Sequence, residues 1–137
     1  MEQYKCLRNN EFKLNNFKIV PLRFKDRYLI MKWRNEQIYH LRQNELLNKD
    51  QQDLYFNNVI QSIFFEKKPN QILFSFLKEN KLVGYGGLVH INWQDKNAEI
   101  SFVMNTIDED QFFIEYWVNF LNLIKRVAFN ELDFIKI

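Results

Sequence analysis

The chain has 137 residues, with 19 basic and 17 acidic side chains and a formal charge of +2. This length fits one domain, and the interspersed charges argue against a dedicated nucleic-acid binder. The single cysteine, Cys6, excludes an internal disulfide and a cysteine-based metal cluster. Because the first residues lack the apolar core of a signal peptide and no apolar run could span a membrane, we expect a cytoplasmic protein without a membrane partner.

The first predicted elements are strands. Residues 4–7 and 11–14 flank Asn9-Asn10, and paired asparagines tolerate the left-handed geometry of a tight turn. Residues 1–16 are therefore expected to form an N-terminal hairpin extension. Residues 17–22 are predicted to form the next strand.

Two helices follow in the prediction, over residues 25–35 and 49–65. Each segment carries an apolar stripe at helical spacing, with polar side chains on the opposite face. Asn48 or Asp50 could cap the second helix, because both side chains can accept a hydrogen bond from a backbone N–H of the first turn. A polar loop over residues 40–48 connects the two helices.

The C-terminal half begins with strands. Residues 71–77 are apolar almost throughout, which is typical of a strand covered on both faces. Residues 82–91 and 98–104 are predicted to pair as an antiparallel hairpin around a polar loop.

A long helix and a last strand complete the predicted order. Thr106 and Glu109 have the spacing of a capping box at the start of the helix, and residues 132–137 fit a strand. The order of elements is then β-(β)-α-α-β-β-β-α-β. An antiparallel meander followed by a crossover helix and a parallel strand predicts a mixed sheet in an α/β layer arrangement.

Four segments of the sequence resemble one family in their order and spacing. They are residues 31–35 (MKWRN), 82–88 (LVGYGGL), 97–102 (NAEISF) and 127–137 (VAFNELDFIKI). They resemble the GNAT N-acetyltransferases, in the branch that includes ribosomal-protein and aminosugar N-acetyltransferases. The resemblance implies a single domain over residues 1–137 of the α/β (α+β) class, with a mixed, mainly antiparallel sheet flanked by helices. It also implies a chain truncated after strand five of that fold, without the family's last helix and two strands.

The resemblance implies an acetyl-CoA-dependent transfer of an acetyl group to a primary amine. The acceptor would be a small molecule, such as an aminosugar nucleotide, or a protein N-terminus. The alternative is a non-catalytic GNAT-like module that acts through protein interaction, or as half of an intertwined homodimer. A third expectation is that the chain is a fragment of a complete enzyme.

Amine acetylation needs a proton acceptor beside the amine and a donor to the thioester carbonyl. Glu99 is the first candidate base, because the family often places an acidic residue on this strand near the acceptor. The alternative is a strand glutamate that faces solvent. His90 is the second candidate, because an imidazole titrates near neutral pH. For His90 the alternative is a structural histidine at a strand end.

The resemblance also assigns the cofactor contacts. In the family, the strand that includes Phe102, Val103 and Met104 offers its backbone amides to the pantetheine arm. Residues 106–111 take the place of the family's glycine-rich pyrophosphate loop, where Gln111 is the expected contact. This stretch has no glycine and three carboxylates, which favours ordinary helix capping over a phosphate site.

The first helix and the loop after it supply the acceptor-site candidates. Trp33, Arg34 and Asn35 could reach that site, and Arg34 could hold a phosphate or carboxylate of the acceptor. A buried tryptophan and a structural salt bridge are the alternatives for the first two. His40 lies in the loop, a region that often shapes the acceptor site in the family. The two histidines lack metal-ligand spacing, so we expect no metal.

The glycines of this chain do not form a nucleotide-binding loop. Gly84, Gly86 and Gly87 lie inside a predicted strand that no helix follows. They are expected to permit a bulge or close packing of the backbone.

Overall fold

Five strands form one sheet in the computed structural model, which describes residues 2–38, 41 and 43–137. Neighbouring strands are antiparallel and follow the order of the sequence. They are β1 (Phe12–Leu14), β2 (Phe17–Pro21), β3 (Ile72–Lys78), β4 (Lys81–Asn92) and β5 (Asn97–Met104). The predicted mainly antiparallel sheet is confirmed.

The described helices are α1 (Arg27–Glu36), α2 (Lys49–Tyr55), α3 (Gln61–Ile63) and α4 (Glu109–Lys125). A π-helical segment, Phe56–Ile60, joins α2 to α3, and another, Arg126–Glu131, extends α4. The start of α2 follows from a capping box. The Asn48 side chain accepts from the Gln51 N–H at 2.8 Å, and the Gln51 side chain accepts from the Asn48 N–H at 3.0 Å. No described helix is long and apolar enough to cross a membrane.

Helices α1 and α4 pack on opposite faces of the sheet. The rings of Phe76 and Phe102 pack against Phe120 of α4, with centroids 5.3 and 4.6 Å apart. Side chains alternate between the faces of a strand, so Tyr85 points the other way, toward Arg34 of α1. The α4 face of the sheet is therefore packed with aromatic rings, whereas the α1 face carries the polar contact between Arg34 and Tyr85.

The prediction of a hairpin around Asn9-Asn10 was wrong. The hairpin turn lies at residues 15–16, between β1 and β2, where Asn15 takes the left-handed conformation with φ 57°. Tyr4 is instead a core residue with 1% of its surface exposed. Its hydroxyl donates to the Leu73 carbonyl at 2.5 Å and accepts from the Leu73 N–H at 2.9 Å. Burial of this ring outweighs the local turn preference.

The predicted strand over residues 132–137 was also wrong in extent. The end of α4 uses this backbone instead, because the Leu132 N–H donates to the Val127 carbonyl and the Phe134 N–H donates to the Ala128 carbonyl. Only one parallel bridge remains, between Asn97 and Lys136. In the described part of the chain, β5 is therefore the last strand of the sheet, and its outer edge is open beyond Ala98.

Two glycines of β4 allow the strands to approach closely. A Cβ on Gly87 would lie 1.9 Å from the Ile72 carbonyl oxygen, and a Cβ on Gly86 would lie 2.0 Å from the Ser101 carbonyl oxygen. The prediction of close backbone packing is confirmed. One register irregularity of β4 lies beside Gly84, where Phe76 pairs with Gly84 and Leu77 with Leu82, and a bulge lies between Val89 and Asn92.

Candidate functional site

A cavity of about 730 Å³ lies on the α1 face of β3, β4 and β5. Helices α1 and α2 and the loop between them form its other walls. Its polar lining includes Arg34 from α1, Tyr55 from α2, Tyr85 from β4, and Glu99 and Ser101 from β5. One cavity therefore brings together side chains that are far apart in the sequence.

Arg34 and Tyr85 form a hydrogen-bonded pair in this cavity, with Tyr85 buried and Arg34 half-buried. The Arg34 Nη1 donates to the Tyr85 hydroxyl at 2.7 Å, and its Nε donates to the Gln43 Oε1 at 3.1 Å. Burial raises the pKa of Tyr85, although the positive charge of Arg34 opposes this. In the described residues no carboxylate forms an ion pair with Arg34. Hydrogen bonds to neutral groups thus take the place of the salt bridge that was the alternative for Arg34.

The other predicted acceptor-site residues have different surroundings. Trp33 is a core residue with 1% of its surface exposed. Asn35 binds the loop instead, because its amide donates to the Leu47 carbonyl at 2.9 Å and its oxygen accepts from the Leu47 N–H at 2.8 Å. That oxygen also accepts from Gln43 at 3.1 Å. His40 lies outside the described residues.

Glu99 and His90 meet at the bulge of β4. His90 has φ 50°, a left-handed conformation that is uncommon for a residue with a side chain. Bulges re-aim side chains, and here the His90 Nε2 lies 3.8 Å from the Glu99 Oε2 across the two strands. Both side chains are more than half exposed. Glu99 therefore offers an accessible carboxylate at the mouth of the cavity.

The open edge of β5 presents backbone groups beside Glu99. The Ala98 N–H donates outward, to the Lys136 carbonyl. Backbone groups alternate along a strand in an antiparallel ladder, so Ile100, Phe102 and Met104 also direct theirs outward, while Val103 faces β4. The Met104 carbonyl accepts from the Gln37 side chain at 2.9 Å. The edge therefore offers the N–H and carbonyl groups of Ile100 and Phe102 to a ligand.

The start of α4 differs from the predicted cap. Asn105 caps the 3₁₀ turn before α4, because its side chain accepts from the Ile107 N–H at 3.1 Å, and Thr106 and Glu109 form no capping box. A 3₁₀ turn, Thr106–Asp108, precedes the helix and removes the capping-box geometry. The Thr106 hydroxyl donates to Glu36 at 2.8 Å and accepts from Gln37 at 3.0 Å.

These groups fit the two parts of acetyl-CoA unequally. The open edge fits a pantetheine arm, because the arm's amides can pair with a strand edge. The α4 start does not fit a pyrophosphate, because it carries Asp108, Glu109 and Asp110, and Asn105 already occupies the Ile107 N–H. Gln111, the expected contact, is an exposed residue in the first turn of α4.

Sequence reasoning missed two residues of this site. Tyr85 lies in the segment that resembles the family, but its pairing with Arg34 depends on the distance between α1 and β4. An aromatic residue between two glycines was the available signal, since the glycines leave room around its ring. Asn105 was missed because the capping-box pattern predicted the cap at Thr106, one residue after the observed one.

The described residues contain no group of three or more His, Cys, Asp or Glu side chains that could hold a metal ion.

Comparison with known proteins supplies a family match. Residues 19–137 match the family model described as acetyltransferase (GNAT) domain. No curated protein matches the sequence significantly.

Solved structures with the same fold include a spermidine N-acetyltransferase from Vibrio cholerae in complex with CoA and spermine. It is 17% identical with a TM-score of 0.67, and the match covers 87% of this chain and 67% of that chain. A GNAT-family acetyltransferase from Bacillus anthracis is 16% identical with a TM-score of 0.66, over 90% of this chain and 69% of that one. The spermidine enzyme has also been solved as a dodecamer, which is 17% identical with a TM-score of 0.62, over 87% of this chain and 66% of that one.

The chain spans 61% of the length of another solved acetyltransferase, which is 12% identical with a TM-score of 0.64, over 91% of this chain. At these identities the similarity shows the fold.

Proposed function

Because the chain belongs to the GNAT acetyltransferase family, we propose that it transfers an acetyl group from acetyl-CoA to a primary amine. The observation that carries the proposal is the position of Glu99, which lies both in the cavity lining and beside the open edge of β5. An amine in the cavity would therefore meet a thioester held at the edge. We also propose that the reaction takes place in the cytoplasm.

In the proposed reaction the amine nitrogen bonds to the acetyl carbon as the bond to the thiol sulfur breaks. Glu99 accepts the proton that the amine loses, directly or through a water molecule, and the thiolate takes a proton from solvent. The outward amides of Ile100 and Phe102 hold the donor and orient its carbonyl. Holding both substrates in one cavity favours direct transfer, because it removes the entropy cost of their encounter.

The acceptor class follows from Arg34. This guanidinium has no carboxylate partner among the described residues and lies in the cavity that holds Glu99. It would suit an acceptor with a phosphate or carboxylate, such as an aminosugar nucleotide, because guanidinium groups bind such anions through paired hydrogen bonds. Spermidine, the substrate named for the Vibrio cholerae enzyme, and a protein N-terminus are the competing acceptors.

The purified chain, supplied with acetyl-CoA, should acetylate at least one of three amines: an amino sugar phosphate, spermidine or a peptide with a free N-terminus. Thiol release and the mass of the acetylated product measure the transfer. We expect the amino sugar phosphate to be the preferred acceptor. Well-folded protein that acetylates none of the three would contradict the proposed function.

Arg34→Met is expected to raise KM for an anionic amine by about tenfold, because one charge-assisted contact is lost, with little change in KM for spermidine. Steady-state kinetics on both acceptors measures the difference. Arg34→Lys is the control, since it keeps the charge while losing the planar fork. Equal effects of Arg34→Met on both acceptors would argue for a structural role instead.

A second candidate function is self-association through α4, as in a non-catalytic module or a homodimer. Its outer face is apolar and accessible, with Ile114 and Val118 exposed by 74% and 47%, and Ile107 in the turn before it is exposed by 82%. Asp110 and Lys125 are exposed near the two ends of this face and form no ion pair in the described part of the chain.

The ends of this face are complementary to a second copy. Asp110 and Lys125 lie equally far from the midpoint between Trp117 and Val118. Two antiparallel α4 helices centred there would place Asp110 opposite Lys125 of the partner subunit. We therefore propose a second copy of the chain as the occupant of this face.

Ile114→Lys is expected to shift the protein to a monomer, because it places a charge in the apolar contact. Asp110→Lys should weaken the dimer, and adding Lys125→Asp should restore it, because the double change swaps both charges. Sedimentation velocity at several concentrations measures each state, with Glu66→Lys on the exposed chain after α3 as the control. A wild-type chain that stays monomeric at all concentrations would exclude this candidate.

A further inference from the structure

The segment that leads into α4 already uses several of its backbone donors. A helix N-terminus binds phosphate because its first N–H groups lack partners. Here the Asn105 side chain accepts from the Ile107 N–H at 3.1 Å, and the Asn105 carbonyl accepts from the Asp108 N–H at 3.1 Å. The Thr106 carbonyl accepts from the Glu109 N–H. Three successive N–H groups at the entry to α4, those of Ile107, Asp108 and Glu109, are therefore occupied within the chain.

Negative charge surrounds the same position. Asp108, Glu109 and Asp110 follow one another at the start of α4, and Glu36 joins them through its hydrogen bond from Thr106 at 2.8 Å. The described ion pair that offsets this charge is Lys32 with Glu36, at 3.3 Å. A pyrophosphate placed here would meet like charge.

The segment that leads into α4 also lacks the glycine that would ease the approach of a phosphate to the backbone. Glycine lets a phosphate approach the main chain, because it has no Cβ. All three glycines of the sequence, Gly84, Gly86 and Gly87, lie inside β4, where they allow close approach between strands. Every residue from Asn105 onward carries a side chain.

The open edge of β5 lacks these obstacles. Ile100 and Phe102 direct their N–H and carbonyl groups outward, and no described strand pairs with them. A pantetheine arm carries two amides that can pair with such an edge, and it has no charge of its own. Unpaired backbone groups at the β5 edge thus favour binding of the pantetheine arm. Occupied N–H groups and negative charge at the start of α4 disfavour binding of the nucleotide.

We propose that donor recognition stops at the pantetheine arm, so that the chain uses acetyl thioesters of pantetheine without the nucleotide as well as it uses acetyl-CoA. This inference rests on the proposed function for its catalytic consequence. Its binding consequence is independent of catalysis, since it concerns the affinities of CoA and pantetheine.

The first test compares S-acetyl-pantetheine with acetyl-CoA as donors at a fixed acceptor. We expect kcat/KM values within roughly threefold of each other. A preference of about a hundredfold for acetyl-CoA would overturn the inference and leave the proposed function standing. No transfer from either donor, although CoA and pantetheine bind equally tightly, would contradict the proposed function and support the inference about binding.

The second test measures binding of CoA and pantetheine by calorimetry. Equal dissociation constants, within roughly threefold, are expected. The double variant Asp108→Asn/Glu109→Gln should tighten CoA by about tenfold, since it removes two like charges, and leave pantetheine unchanged. Glu115→Gln, further along α4, is the control. CoA that binds wild type far more tightly than pantetheine would overturn the inference, and so would wild-type protein that binds neither ligand.

Discussion

Glu99→Gln is expected to lower the kcat of acetyl transfer by about 100- to 10,000-fold, the range that a general base contributes. Glutamine keeps the size of the side chain and removes its ability to accept a proton. The fold should be unaffected, because 60% of the Glu99 side chain is exposed and its described ion-pair contact is the 3.8 Å approach to His90. Steady-state kinetics with a thermal melt of each variant measures both effects.

Two further variants separate the roles at this position. Glu66→Gln, on the exposed chain after α3, is the control for loss of an acidic side chain. His90→Gln distinguishes the two candidate bases, and we expect it to retain most of the activity, because His90 lies on β4, one strand further than Glu99 from the open edge of β5. Full activity in Glu99→Gln together with loss in His90→Gln would reverse this assignment.

Gly87→Ala is expected to destabilise the protein by about 3 kcal/mol or more, because overpacking against a rigid backbone has no flexible atom to absorb it. The added Cβ would lie 1.9 Å from the Ile72 carbonyl oxygen, so β3 and β4 must separate. Chemical denaturation monitored by circular dichroism measures the loss.

Gly84→Ala is the matched control for that experiment. It lies on the same strand, and its added Cβ would meet the Val103 carbonyl oxygen at 3.0 Å, a distance that a small shift relieves. We expect a clearly smaller loss than for Gly87→Ala. Equal stability of the two variants would show that the close approach of β3 and β4 is not rigid.

Much of the fold could be predicted from periodicity and capping alone. The apolar stripe and the cap candidate Asn48 located the start of α2, because both depend on residues within one or two turns. The β4–β5 hairpin was predictable because its two strands are neighbours in the chain and are joined by a short polar loop. The sequence-based predictions failed where contacts between residues far apart in the chain determine the local structure. Tyr4 is fixed by Leu73, far along the chain, and residues 132–134 are used by the end of α4.

The candidate site was predictable in its residue types but not in its geometry. Glu99 and Arg34 could be named from the family resemblance, and the structure places both in the lining of one cavity. The sequence already offered a buried Trp33 as one of two alternatives, whereas it could not show that Asn35 binds the loop, because that contact depends on how the loop folds onto α1. The acidic α4 start was visible in the sequence, whereas the occupied N–H groups were not.

The position at which an acetyl donor binds tests the proposed function most directly. The backbone amides of ¹⁵N-labelled protein can be followed by NMR during titration with S-acetyl-pantetheine. We expect the largest shifts at Ile100 and Phe102, which face the open edge of β5, and small shifts at the α4 start around Asp108 and Glu109. Shifts that leave Ile100 and Phe102 unchanged would contradict the claim that this edge holds the donor beside Glu99.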